Sequence, residues 1–209
     1  MYKHVIWDWN GTLINDTGMC AEIVNMCLER RGLKRIDIGV YKDNYELPVI
    51  NFYKRIGFDC LEAEFATLSE EFLVIYEQRQ FKCGLQEGAM EILNFFRSRD
   101  IKQSILSAYQ QQRLVKAVEW FGIIDYFEHI FGRKDSLASG KIEIAHELIR
   151  NLNFNHDKIL FIGDTIHDFE ISQMINADCI LVSRGHYSNE RLQASEACVI
   201  ESLKGLISV

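Results

Sequence analysis

After Gly84 the chain alternates short apolar runs with segments of helical period, and that alternation leaves few architectures open. Ile159 to Ile162 and Cys179 to Val182 are short apolar runs that read as buried strands, Gln103 to Leu106 reads as a strand between two helical segments, and His129 to Phe131 is a further strand candidate. Between them, Glu87 to Arg99, Gln111 to Phe121, Ile142 to Leu152 and Asp168 to Ile175 read as helices; in the second, Leu114, Val118 and Phe121 fall on one face. At the N-terminus His4-Val5-Ile6-Trp7 is another short run, stopped near Asp8 by the Asn10-Gly11 turn signal. Strands alternating with helices predict a parallel sheet covered on both faces. The expected fold is α/β, with a Rossmann-like parallel sheet as its core.

From about Gly18 to Leu85 strand signals vanish. Met19, Ile23, Met26 and Cys27 recur at helical spacing, as do Phe65, Leu68, Phe72 and Tyr76. Pro48, the one proline, sits between two shorter helical candidates and is expected to start the second. This predicts a core of residues 1–14 and 85–209, with a helical module of residues 15–84 inserted after the first strand. A length of 209 residues accommodates one core and one small insert.

Charge narrows the choice of partner. Lys and Arg total 23 against 30 Asp and Glu, a net charge of -7. No basic footprint for nucleic acid is present. The same negative field repels anionic substrates at long range, so a phosphate site here needs local cations. No apolar run reaches transmembrane length, and the start lacks the apolar stretch of a signal peptide. Cys20, Cys27, Cys60, Cys83, Cys179 and Cys198 show no CxxC spacing and read as reduced, space-filling thiols. The expectation is a cytoplasmic monomer or homodimer that takes a small molecule, with neither nucleic acid nor membrane as partner.

In a parallel sheet the ligand crevice lies outside the carboxyl ends of the strands, so polar residues just beyond each run are the place to look for chemistry. Asp8-Trp9-Asn10-Gly11-Thr12-Leu13 puts a carboxylate at a strand end before a tight turn whose exposed N–H groups can hold an anion. Ser107 offers a hydroxyl, and Lys141, after Ser139-Gly140, offers a cation for phosphate oxygens. Gly163-Asp164-Thr165-Ile166-His167-Asp168 adds two carboxylates, and such an oxygen-rich set suits magnesium. Each residue alone has an ordinary explanation: a helix cap, a turn serine, a solvated lysine. What is specific is their order, each at a strand-to-helix junction.

Taken together, Asp8 to Leu13, Ser107, Lys141 and Gly163-Asp164 with Asp168 resemble the haloacid dehalogenase superfamily, in its phosphoglycolate-phosphatase-like branch with a helical cap. The resemblance spans nearly the whole chain. It implies a HAD-like fold and a magnesium-dependent phosphatase that acts on a small phosphorylated metabolite through an aspartyl-phosphate on Asp8. It further implies that Ser107 and Lys141 hold the transferring group, with Gly11, Thr12 and Ala108 at the same site. Asp8, the Asn10 carbonyl and Asp164 would bind Mg2+, with Asp168 close by or acting through water.

One position departs from that pattern. Most phosphatases of this family carry a second aspartate, the general acid and base, where this chain has Asn10. An amide donates hydrogen bonds but does not exchange protons near neutral pH, and general acid–base help is worth about 10²–10⁴-fold. The expectations are therefore a substrate whose leaving group needs no proton, a proton from elsewhere such as His167 or the cap, slow turnover of a phospho-enzyme, or a non-catalytic phosphate-binding protein. Installing aspartate at position 10 is expected to help alkyl phosphates most. The first motif also resembles that of phosphonoacetaldehyde hydrolases, which cleave a C–P bond with a cap lysine; Lys42 and Lys54 are the candidates. Within Tyr45 to Arg55, Arg55 or Lys54 is expected to clamp a carboxylate or second phosphate, and Gly185-His186 to line the same mouth.

Overall fold

The computed structural model describes residues 2–59, 61–134, 141–152 and 158–208. β1 (His4–Trp7) is buried along its whole length, as a strand covered on both faces must be. It pairs in parallel with β2 (Lys102–Gln110) on one side and β4 (Ile159–Gly163) on the other. β3 (His129–Arg133), β5 (Asp178–Val182) and β6 (Cys198–Ile200) complete a parallel sheet of order β3-β2-β1-β4-β5-β6. The chain winds outward to β3 and then crosses to β4, so the strand order reverses beside β1. That switch point is where parallel sheets open a crevice.

The register lines up the strand ends. Trp7 stands opposite both Ile105 and Ile162, so Asp8, Ser107 and Asp164 all emerge at one edge. Asp8 is tied there by its N–H, which donates to the Ile162 carbonyl at 2.8 Å. β2 runs further than its apolar core suggests, to Gln110. Its pairing with β3 shifts register between Leu106 and Gln110, and this bulge carries Ser107, Ala108 and Tyr109. β6 is short and half exposed, which left no apolar signature to read.

Helices α5 (Ala89–Ser98), α6 (Gln111–Trp120), α7 (Lys141–Asn151) and α8 (Ile166–Met174) follow the expected segments to within two residues, and α9 (Asn189–Gln193) comes between β5 and β6. Between β1 and β2 the chain forms α1 (Thr17–Arg30), α2 (Ile38–Asn44), α3 (Val49–Arg55) and α4 (Glu62–Arg79), with no strand in this stretch among the described residues. Pro48 is the N-terminal cap of α3, as its lack of an N–H favours. α1 packs on α4, and Ile23, Cys27 and Leu68 are fully buried in one cluster that runs into the sheet through Trp7 and Trp9. A second cluster, on the other face, sets Ile6, Leu106 and Phe161 against Ile144, Leu148 and Ile171.

Cys20 and Cys27 are buried and Cys83 and Cys179 half-buried, consistent with space-filling; Cys198 is exposed on the edge strand, and Cys60 lies outside the described residues. Among the described residues no helix is long and apolar enough to cross a membrane.

Leu68 joins α4 to α1 with no exposure to solvent. Leu68→Ala should cost about 2–5 kcal/mol through lost burial and the cavity left behind. Urea unfolding should show a lower midpoint at unchanged slope; a cost under about 1 kcal/mol would mean that α4 is anchored elsewhere.

Candidate active site

At the carboxyl edge of the sheet, Asp8 follows β1, Ser107 sits in the β2 bulge, Asp164 follows β4, and Lys141 and Asp168 begin α7 and α8. All five are buried and all line one cleft of about 840 Å³. The Lys141 ammonium donates to Asp8 Oδ1 and, at 2.6 Å, to Asp168 Oδ1. The other oxygen of Asp168 accepts from the Thr165 N–H at 3.0 Å and the Thr165 hydroxyl at 2.7 Å, closing a capping box on α8. Asp168 thus holds Lys141 and the helix start together.

Asp164 is held on both oxygens. Thr12 Oγ1 donates to Oδ1 at 3.1 Å, and the backbone N–H of His186 donates to Oδ2. Two glycines make room for it. A Cβ at Gly11, whose φ is +74°, or at Gly185 would collide with the Asp164 carboxylate. The Asn-Gly dipeptide is therefore a close-approach site as well as a turn.

Burial pushes the Asp8 carboxyl up to about 8; Lys141 opposes that shift, and the charges of Asp168 and Asp164 add to it. Asp164 is raised to about 6, first by burial and then by Asp168, against the opposing charge of His186. Burial works against the charge on Lys141, but Asp168 and Asp8 hold its pKa above the ordinary value. Burial likewise opposes ionisation of Asp168, and Lys141 more than compensates, leaving it below the usual carboxylate range.

The ligand oxygens of Asp8, Asp164 and Asp168 lie within 4.8 Å of one another. Three converging carboxylates with one cation between them carry surplus negative charge, and an all-oxygen donor set fits Mg2+. Asp8 Oδ2 has no protein partner among the described residues, whereas Asp168 is fully engaged.

Asn10 does more than make a turn. Its amide Nδ2 donates to Asp16 Oδ2 at 2.7 Å and to the Tyr76 hydroxyl at 2.6 Å. The Tyr76 hydroxyl donates to the same Asp16 oxygen at 2.8 Å, and the Gly11 N–H donates to Asp16 Oδ1 at 2.8 Å. His186 Nε2 is 3.5 Å from Asp16 Oδ1, while its Nδ1 is 3.0 Å from the Tyr41 hydroxyl. Burial works to raise Asp16, but His186, Asn10 and Tyr76 together keep it below the usual range; Asp16 in turn raises His186 against the effect of burial.

Asp16 was not among the sequence candidates. It immediately precedes α1 and so resembles an ordinary N-cap, yet its side chain makes no cap hydrogen bond and turns back to the Asn10-Gly11 loop. Tyr76 was hidden as a helix-period core aromatic, and Tyr41 carried no sequence signal for this role. His186 does line the cleft, as expected. Ala108 lines it too, at its exposed side. Arg55 is a correction: it is half exposed, pairs with Glu46 at 2.8 Å and does not line the cleft. Lys54 is exposed on the same short helix, whose buried face is taken by Phe52 and Tyr53. His167 is also turned away, lying 3.3 Å from Glu170 on α8.

The switch point of this parallel α/β sheet thus carries a buried Asp–Lys–Asp chain and a further aspartate. The chain belongs to the haloacid dehalogenase-like hydrolase family, whose model matches residues 5–182. It is 23% identical to a phosphoglycolate phosphatase of Psychrobacter arcticus over 97% of this chain and 93% of that protein. Among solved structures it resembles a predicted phosphoglycolate phosphatase from Haemophilus somnus (TM-score 0.79, 17% identity, 99% and 97% of the two chains). It is similar as well to a haloacid dehalogenase-like hydrolase from Streptococcus pneumoniae (TM-score 0.82, 14% identity, 99% and 98%). At these identities the structural matches establish the fold.

Two outcomes are expected. Asp8 and Asp164 bind protons more tightly in the folded than in the unfolded chain, so their contribution to stability is full below about pH 4 and lost as pH rises through about 6 and 8. Asp168 and Asp16 titrate below the ordinary carboxylate range and leave that window unaffected. Metal-free protein should therefore melt lower at about pH 8.5 than at about pH 5, and Mg2+ should restore more of the Tm at the higher pH. A Mg2+ shift independent of pH would count against carboxylate binding. The second concerns Asn10→Asp, which sets a carboxylate against Asp16. It should lose about 1–3 kcal/mol at neutral pH, less at acid pH where one of the two protonates, and regain it in the Asn10→Asp, Asp16→Asn double variant. An unaltered single variant would show that the Asn10–Asp16 contact carries no energy.

Proposed function

We propose that this hydrolase is a magnesium-dependent phosphatase, acting on a small phosphorylated metabolite through an aspartyl-phosphate on Asp8. The observation that carries the reading is the Lys141 ammonium held between Asp8 and Asp168 at the buried end of the cleft, with Ser107 and Asp164 beside it. The Asp8 carboxylate attacks phosphorus, the ester P–O bond breaks, and the leaving oxygen departs with its electron pair. Ser107 Oγ–H and Lys141 Nζ donate to the phosphoryl oxygens and spread the charge that develops on them. Water then attacks phosphorus, the P–O bond to Asp8 breaks, and inorganic phosphate leaves with the carboxylate restored. Held by Asp8, Asp164 and the Asn10 carbonyl, Mg2+ would supply charge neutralisation between nucleophile and phosphate. Helices α1 to α4, residues 15–84 in this reading, form the cap that keeps bulk water from the reacting groups.

Phosphonoacetaldehyde-like C–P cleavage has less support. It needs a cap lysine in the cleft, but Lys54 is exposed, Lys42 Nζ lies 3.5 Å from the Ser183 carbonyl, and neither lines it. A non-catalytic phosphate binder would use the same cleft, and kinetics separate the two.

With Mg2+ and acetyl phosphate, wild type should release phosphate and become transiently phosphorylated on Asp8, and Asp8→Ala should lose at least about 10³-fold in rate. Quenched-flow mass spectrometry of the peptide carrying Asp8 reads the intermediate. Beryllofluoride should raise the Tm only with Mg2+. Beryllofluoride binding without any phosphate release would favour the non-catalytic reading.

A further inference from the structure

The cleft above Asp8 is far larger than a two-carbon phosphate ester needs, and its upper wall has an unusual chemistry. At about 840 Å³ it falls in the range of sites that enclose a drug-sized ligand. The cap contributes Tyr45, Phe52, Tyr53, Phe65, Phe72 and Tyr76 to its lining. Phe52, Tyr53 and Tyr76 are buried in ring-to-ring contact with neighbouring aromatics, forming a fixed backing. Tyr45, Phe65 and Phe72 are half-buried and keep part of their surface toward the space.

No lysine or arginine of residues 15–84 lines the cleft among the described residues; the cap's charged contributions are Glu70 and Glu77. Of the core's cations, Lys141 is committed to Asp8 and Asp168, Arg113 pairs with Glu77 at 2.9 Å, and Arg133 is exposed at the rim. A carboxylate on the substrate would thus meet Glu70, the Arg113–Glu77 pair and the exposed Arg133, with no cation contributed by the cap. A flat apolar group would meet aromatic faces.

Position 10 points the same way. The Asn10 amide is spent on Asp16 and Tyr76. Asp16 has both oxygens occupied, and His186 directs one ring nitrogen at Asp16 and the other at Tyr41. None of these groups is free to protonate a departing alkoxide. A phenolate needs less such help than an alkoxide, because its charge is delocalised into the ring.

Resting on the phosphatase reading above, we infer that the substrate is an aryl phosphate monoester, whose ring stacks against Phe72 and its neighbours and whose phenolate leaves unprotonated. Asp8 Oδ forms the bond to phosphorus as the P–O(aryl) bond breaks, and the aryloxide takes its proton from water after release.

Three substrates test this at saturating Mg2+: phenyl phosphate, 2-phosphoglycolate and acetyl phosphate. Phenyl phosphate should exceed 2-phosphoglycolate in kcat/KM by about 10²-fold or more, the size of the missing acid contribution. Leaving-group chemistry alone would favour phenyl phosphate, so a second arm reads the wall. Phe72→Ala should lower the phenyl-to-acetyl ratio of kcat/KM about 3- to 10-fold, mainly through KM for the aryl ester. Circular dichroism and the thermal unfolding midpoint check that the variant is folded. A ratio unmoved by Phe72→Ala, or 2-phosphoglycolate turned over as well as phenyl phosphate, overturns the inference. Phosphate release from acetyl phosphate but none from phenyl phosphate overturns the substrate class alone; release from neither overturns the phosphatase reading with it.

Discussion

Lys141 is the group on which the arrangement at the sheet edge depends. Asp8, Asp164 and Asp168 are all buried within a few ångströms, and like charges in a poor dielectric repel strongly. An ammonium between Asp8 and Asp168 makes that cluster tolerable without neutralising it. Removing one partner from such a buried set typically costs about 3–5 kcal/mol, because the remaining charges are left uncompensated. The residual negative charge is what makes this all-oxygen cluster fit a divalent cation.

The second constraint is the polar chain through Asn10, Asp16, Tyr76, His186 and Tyr41. It links the loop after Asp8 to α4 through Tyr76, to α2 through Tyr41 and to the segment after β5 through His186. The Asn10 amide nitrogen, both Asp16 oxygens, the Tyr76 hydroxyl and both His186 ring nitrogens have partners in it, which ties the helical segment to the loop after Asp8. Asparagine at position 10 fits that network because Asp16 already supplies the carboxylate. An amide at position 10 thus lets two polar side chains share a buried space without two like charges.

Several elements were legible because they rest on local rules. The four short runs became β1, β2, β4 and β5, since a strand buried on both faces is mostly apolar, and the buried His4, Gln103 and Ser104 among them are hydrogen-bonded. Pro48 marked a helix start through its missing N–H. Asp8, Ser107, Lys141 and Asp164 could be singled out as candidates because the crevice of a parallel sheet lies where its strands end. Arg55 was placed wrongly for an equally physical reason. Helical spacing gives the face of a residue, but Glu46, which draws that arginine away from the cleft, comes from a different turn of chain.

By itself, the sequence determined the α/β architecture, the helical stretch between the first two strands, and the identity of the carboxylates, hydroxyl and cation at the strand ends. These follow from periodicity and from strand-end position, which are properties of neighbouring residues. Only the tertiary structure decided that Asp168 orients Lys141, that Asp16 occupies the amide of Asn10, and that aromatic rings from α2, α3 and α4 roof the cleft. Asp16 and Tyr76 are 60 residues apart, and Tyr41 and His186 are 145 apart. Such partners are chosen by the packing of separate elements, and local pattern carries no record of which surfaces will meet.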